Sequence, residues 1–146
     1  MLSKNNSKME VKYLPIDKKI ILFDGVCNLC DSSVQFIIKR DAKDIFRFVA
    51  IQSELGSKII NYLGIDTSIV DSIILYIPNI GYYTKATAVF RIAKELNTWH
   101  RYLSYLSFIG KYGDFIYDYI AKNRYQWFGK KENCMTPNFE TQTKFL

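Results

Sequence analysis

The chain has 146 residues, of which 49% are hydrophobic and 23% charged, a balance that excludes a disordered or fibrous protein and suits a core-forming one. Its net charge of +6 is uneven, because residues 1–73 hold 10 Lys/Arg against 9 Asp/Glu and residues 74–146 hold 10 against 5. An anionic partner would meet the second half, although solvated surface lysine accounts for the same excess. With 11 Tyr and 10 Phe, the core should be built largely from rings and Ile, and an odd count of 3 Cys argues against a disulfide framework.

Residues 1–18 read as a mobile tail ahead of a single domain over 19–146. Lys4, Lys8, Lys12 and Lys18 break any leader-like apolar run, and no stretch is long enough to span a membrane. The expectation is a soluble cytoplasmic protein whose thiols rest reduced. Ile20, Ile21, Leu22 and Phe23, closed by Asp24-Gly25, predict a buried central strand entering a tight turn. From residue 28 to about 43, Cys30, Val34, Ile37 and Ile38 recur at helical spacing. Residues 46–51 read as a second strand. Ser53 then opens a helix carrying Leu55, Ile59, Ile60 and Leu63, which Gly64 ends.

Residues 73–77 and 82–84 form a predicted hairpin around a turn at 78–81, and a helix over about 85–97 follows with Ala86, Val89, Phe90, Ala93 and Leu96 as its buried stripe. Leu103, Leu106 and Ile109 suggest one further helix. Gly110 and Gly113 should interrupt it before a second that carries Phe115, Ile116, Tyr119 and Ile120. The order β-α-β-α-β-β-α, with added C-terminal helices, is an α/β arrangement of the thioredoxin-like kind.

Phe23-Asp24-Gly25-Val26-Cys27-Asn28-Leu29-Cys30 sets a Cys-x-x-Cys at a strand-to-helix junction, the context in which that spacing reads as redox. Unpaired N–H groups and the dipole at the helix start favour a thiolate at Cys27, the expected nucleophile. Cys30, one turn on and on the face of Val34 and Ile37, should be shielded and near enough to resolve a mixed disulfide. Gly25 is expected to supply a special backbone conformation or a close approach. Asp24 either relays a proton for Cys30 or bonds turn amides. Asp24 and Asp31 bring negative charge toward the dithiol and oppose the thiolate. A zinc site would have to recruit the remote His100 and Cys134, so no metal or other cofactor is expected.

On Asp24-Gly25-x-Cys27-x-x-Cys30 the chain resembles the DCC family of thiol-disulfide oxidoreductases. The likeness extends to Thr87-Ala88 after Tyr83, and to Asn123-Arg124-Tyr125, Phe128-Gly129 and Cys134, covering about residues 20 to 137. It implies a thioredoxin-like fold and dithiol exchange with a protein or small-molecule thiol or disulfide. It leaves substrate, electron donor and oligomeric state open. One departure from thioredoxins is Asp71-Ser72 before Ile73, where they place a cis-Pro. A non-proline cis bond costs about 2.5–4 kcal/mol, so a trans peptide is expected there.

Lys122, Arg124, Lys130 and Lys131 interleave with Tyr125, Trp127 and Phe128. Four cations are a thin basis for nucleic-acid binding. A better-founded expectation than nucleic-acid binding is that this stretch folds over the dithiol, with Asn28, Arg124 and Tyr125 supporting the site and Arg124 offsetting Asp24 or steadying the thiolate. In the plainer alternative its rings cap the core. Cys134 reads as a small hydrophobe, and His100 is assigned no role. Two other functions stay open: a redox-inert binding module on the same scaffold, and a Cys-ligated metal site.

Overall fold

The computed structural model describes residues 14–66, 73–96, 110–129, 139 and 142–146. The strands are β1 (Lys19–Phe23), β2 (Phe46–Ala50), β3 (Ile74–Ile77) and β4 (Gly81–Thr84). The helices are α1 (Asn28–Arg40), α2 (Glu54–Leu63), α3 (Lys85–Glu95) and α4 (Gly110–Phe128), with a 3₁₀ turn at Gln142–Lys144. The sheet order is β2-β1-β3-β4. β1 runs parallel to β2 and antiparallel to β3, and β3 is antiparallel to β4. This is the thioredoxin-like arrangement anticipated from the sequence.

β1 is interior to the sheet, so both of its faces are covered and its apolar residues run on without alternation. Ile20 and Leu22 pack with Val49, Ile59, Ile60 and Ile74 toward α2. Ile21 and Phe23 pack with Val34, Ile37, Leu75, Ala88 and Ile92 toward α1 and α3. Leu14, inside the segment expected to be a tail, is buried in the first of these clusters.

Local signals placed several boundaries well. Ser53 caps α2, its hydroxyl accepting from Gly56 N–H at 3.0 Å, and Gly64 closes that helix in the left-handed region at φ 65°. The first predicted helix stops earlier than expected, at Arg40. There the buried Asp41 carboxylate accepts from Ile45 N–H at 2.9 Å and Phe46 N–H at 3.0 Å, tying the helix end to the start of β2.

Two expectations for the second half are corrected. α3 buries Ala86, Ala88, Ile92 and Ala93, with Leu96 buried at its C-cap, whereas Val89 is exposed and Phe90 half-buried, both of them lining a groove against α4. The predicted stripe tracked apolar residues without distinguishing the face toward the sheet from the face toward α4. Nor does Gly113 interrupt α4, which runs unbroken for 19 residues. A Cβ there would stand 3.3 Å from Ala86 Cβ, so the glycine lets α4 approach α3 closely and accepts the usual helix-interior cost of about 1 kcal/mol. Phe115, Ile116 and Tyr119, taken as apolar positions of a second helix, are more than half exposed. Leu103, Leu106 and Ile109 lie outside the described residues.

The last residues close the open edge of the sheet. Phe145 bridges Phe48 in parallel, Leu146 N–H donates to Phe48 O at 3.0 Å, and the Phe145 ring meets Phe23 edge-on with centroids 6.1 Å apart. Nearby, Asp44 takes a bidentate contact from Arg47 at 2.8 and 3.0 Å and further contacts from Lys18 and Lys144.

Candidate functional site

β1 delivers the chain to a turn whose Asp24 carbonyl accepts from Cys27 N–H at 3.3 Å, and α1 begins at the next residue. Cys27 is the N-cap, with extended backbone (φ −87°, ψ 125°), and its carbonyl accepts the first helical bond from Asp31 N–H at 3.0 Å. Its side chain makes no capping bond, so the thiol is not used up in closing the helix. Cys30 sits in the first turn, and no disulfide joins the two.

Their burial reverses the expectation. Cys27, the expected nucleophile, is 0% exposed, and Cys30, expected to be shielded, is only half-buried. Helical spacing correctly set Cys30 on the face of Val34 and Ile37, which packs on the core, but beside that core Cys30 also borders an open pocket below α4.

Asp24 is buried at 4% exposure and is a hub of hydrogen bonds. Its Oδ1 accepts from Val26 N–H at 3.1 Å and from Gln52 Nε2 at 2.6 Å, and its Oδ2 accepts from the Tyr125 hydroxyl. Bonding of a turn amide was one of its two anticipated roles. Gly25 N–H donates to Gln52 Oε1 at 3.0 Å. Positive φ at glycine falls, among the described residues, at Gly64, Gly81 and Gly129, so Gly25 does not serve through a left-handed backbone.

Gln52 was missed by sequence reasoning. Its signal lay in the strand register: parallel pairing sets Phe23 opposite Ala50, and Ile51 N–H donates to Phe23 O at 2.8 Å, so the residues after each strand meet. The glutamine side chain then bridges Asp24 and Gly25 from outside the motif.

The C-terminal stretch does fold over the cysteine loop. Tyr125 reaches Asp24 across 101 positions of sequence, and Asn28 Nδ2 donates to the Phe128 carbonyl at 2.7 Å, holding the last turn of α4 against the first turn of α1. Arg124 lies in α4 just before Tyr125, and its side chain is outside what the structure describes, as are His100, Cys134, Asp71, Ser72, Lys130 and Lys131. Trp127 is half exposed and packs edge-on against Tyr119, so it does not cap the core. Among the described residues no group of three metal-ligating side chains comes together, and no helix is long and apolar enough to cross a membrane.

Two proteins are similar in sequence to this chain. A Bacillus subtilis (strain 168) protein named Uncharacterized protein YuxK is 40% identical over 132 residues, covering 90% of this chain and 96% of its own length. The Arabidopsis thaliana DCC family protein At1g52590, chloroplastic, is 38% identical over 121 residues, covering 81% of this chain and 70% of its own. No solved structure matches. The family model for DCC1-like thiol-disulfide oxidoreductase matches residues 21–130, from the middle of β1 past the end of α4, and the chain therefore belongs to the DCC1-like thiol-disulfide oxidoreductase family.

Proposed function

We propose that the chain exchanges a Cys27/Cys30 dithiol with the disulfide of a protein or small molecule, through a mixed disulfide. The observation that carries this reading is the placement of the pair. Cys27 caps a helix that starts directly after a buried strand, and Cys30 follows within the same turn, where N–H groups and the helix dipole favour a thiolate. One thiolate attacks the substrate disulfide, and the other releases the product by attacking the mixed disulfide, leaving Cys27 and Cys30 oxidised. Asp24, bonded to Val26, Gln52 and Tyr125, holds the loop between strand and helix. In a cytoplasmic setting, which we also propose, the resting state is the dithiol.

One observation favours a second reading, a redox-inert binding module on the same scaffold: Cys27 is wholly buried. The reduction potential decides between them. Thiol trapping in defined dithiothreitol or glutathione buffers, on a Cys134→Ser background, is expected to give a reversible two-electron transition between about −120 and −270 mV. If no Cys27–Cys30 disulfide forms at any poise, the exchange reading is wrong.

A further inference from the structure

A pocket of about 480 Å³ opens between α1, α3 and α4, within the size range of small-molecule sites. Cys30 stands in its wall beside Leu29 and Ile37, while Phe23 lies beneath and Ala121 and Phe128 of α4 face it from above. Cys27 is not among its lining residues.

The wall is chemically one-sided. No Asp, Glu, Lys, Arg, His, Asn or Gln lines it among the described residues. Its hydroxyls are already engaged: Ser33 Oγ donates to Leu29 O at 2.8 Å, and the Tyr117 hydroxyl accepts from Ile73 N–H at 2.9 Å. A ligand with charged groups would surrender their hydration here and meet no oppositely charged side chain, whereas a hydrocarbon body would leave water at no such cost. The surface on offer is mostly hydrocarbon, with two hydroxyls and one thiol in it.

We propose that this pocket binds the apolar body of a small disulfide and that Cys30, rather than Cys27, is the thiol that attacks it. The proposal rests on the dithiol reading above and adds substrate class and order of attack. Cys30, deprotonated, attacks one sulfur of R–S–S–R′. The Cys30–S–S–R bond forms, the substrate S–S bond breaks, and R′S⁻ leaves and takes a proton from water. Cys27 then loses its proton and attacks Cys30 Sγ, so the Cys27–Cys30 disulfide forms and RS⁻ leaves to be protonated in turn. Two electrons pass from the dithiol to the substrate, and the two protons lost by the cysteines balance the two gained by the products. Cys27 needs no contact with the substrate, which fits its burial.

The test uses the full chain, reduced, on a Cys134→Ser background, with dipropyl disulfide and glutathione disulfide as probes. Each rate is normalised to that of the same disulfide with a simple thiol in solution. Dipropyl disulfide is expected to lead by about tenfold or more, the discrimination that a few methylenes supply in an apolar pocket. Ala121→Trp, which fills the pocket from α4, should abolish that lead. In Cys27→Ser the propylthio adduct should accumulate on Cys30, and Cys30→Ser should form none. Equal normalised rates, or an adduct on Cys27 in Cys30→Ser formed as fast as in the parent, would overturn the proposal while the exchange reading stands, provided the parent still forms its Cys27–Cys30 disulfide. If neither probe produces that disulfide although it forms in the redox titration, the proposal fails and the exchange reading stands; if it does not form in the titration either, both fail. Should Ala121→Trp not fold, the selectivity of the parent and the adduct mapping decide the matter.

Discussion

Tyr125→Phe tests whether the C-terminal helix is fastened to the cysteine loop. The substitution keeps the ring and deletes one hydroxyl, the donor to Asp24 Oδ2. Hydrogen bonds to charged groups contribute about 1.5–3 kcal/mol, and Asp24 keeps Val26 N–H and Gln52 Nε2 at its other oxygen, so the lower part of that range applies, about 1.5–2 kcal/mol. For a chain of this length each kcal/mol moves Tm by roughly 2–4 °C, which predicts a fall of about 3–8 °C. Urea denaturation followed by circular dichroism should show a lower midpoint at unchanged slope, because a single hydroxyl leaves the area exposed on unfolding nearly constant. The partners are 101 residues apart, so the bond forms only once both β1 and α4 are in place, and its loss acts on the native state. An unchanged midpoint would refute the fastening, and a changed slope would mean that the variant no longer unfolds as a unit.

Three other substitutions probe the frame around the site. Gly56→Ala would set a Cβ 2.2 Å from Ala50 O, a backbone clash that only displacement of α2 from β2 relieves; a cost of about 3 kcal/mol in a urea titration is expected, and a neutral result would refute the close approach. Ser53→Ala removes the acceptor of Gly56 N–H and should lower stability by about 1 kcal/mol, with restoration by Thr or Asp. Asp44 is held well below the usual carboxylate range, first by its hydrogen bond to Arg47 and then by Lys144 and Lys18. Because its folded value is depressed, its contribution is present above the unfolded value of about 3.9 and is lost as pH falls below it. Asp44 is half exposed, so the contribution is discounted for screening to about 1 kcal/mol. Asn tolerates the positive φ of 54° found there, so Asp44→Asn isolates the charge. The stability gap between the parent and this variant should close between neutral pH and about pH 2, and a gap that widens on acidification would refute the assignment.

What the sequence made legible was whatever a few neighbouring residues decide. The run Ile20 to Phe23, the cap at Ser53 and the stop at Gly64 each act within a turn or a strand, and the structure has them where the pattern put them. The Cys-x-x-Cys at the junction is of the same kind. Gln52 and Phe145 were illegible because their roles depend on strand register and on the chain's return to an open sheet edge. The wrong stripe on α3 and the open side of Cys30 share one cause. Periodicity names the face of a helix but not what lies across from it, and α4 supplies that for both. Gly113 misled in the opposite direction, since a helix breaker by propensity is a spacer when two helices must touch.

The position of α4 joins the two halves of the site. Tyr125 and Phe128 are three residues apart, hence on one face of that helix, and this spacing lets a single helix orientation satisfy Asp24 with the tyrosine hydroxyl and Asn28 with the last-turn carbonyl. The same orientation turns Tyr117, Ile120 and Ala121 into the roof of the pocket that Cys30 borders. The cysteine loop and the pocket therefore share one support. A change that releases Tyr125 or Asn28 should alter access to Cys30 as well as stability, whereas one confined to the far side of the sheet, such as Ile59→Val on α2, should lower stability and leave thiol reactivity as it was. Comparing the alkylation rate of Cys30 in Tyr125→Phe and Ile59→Val, both under conditions where each variant is fully folded, separates the two effects: equal rates would mean that α4 is a bystander to the dithiol, and a faster rate in Tyr125→Phe alone would identify α4 as the element that sets access to it.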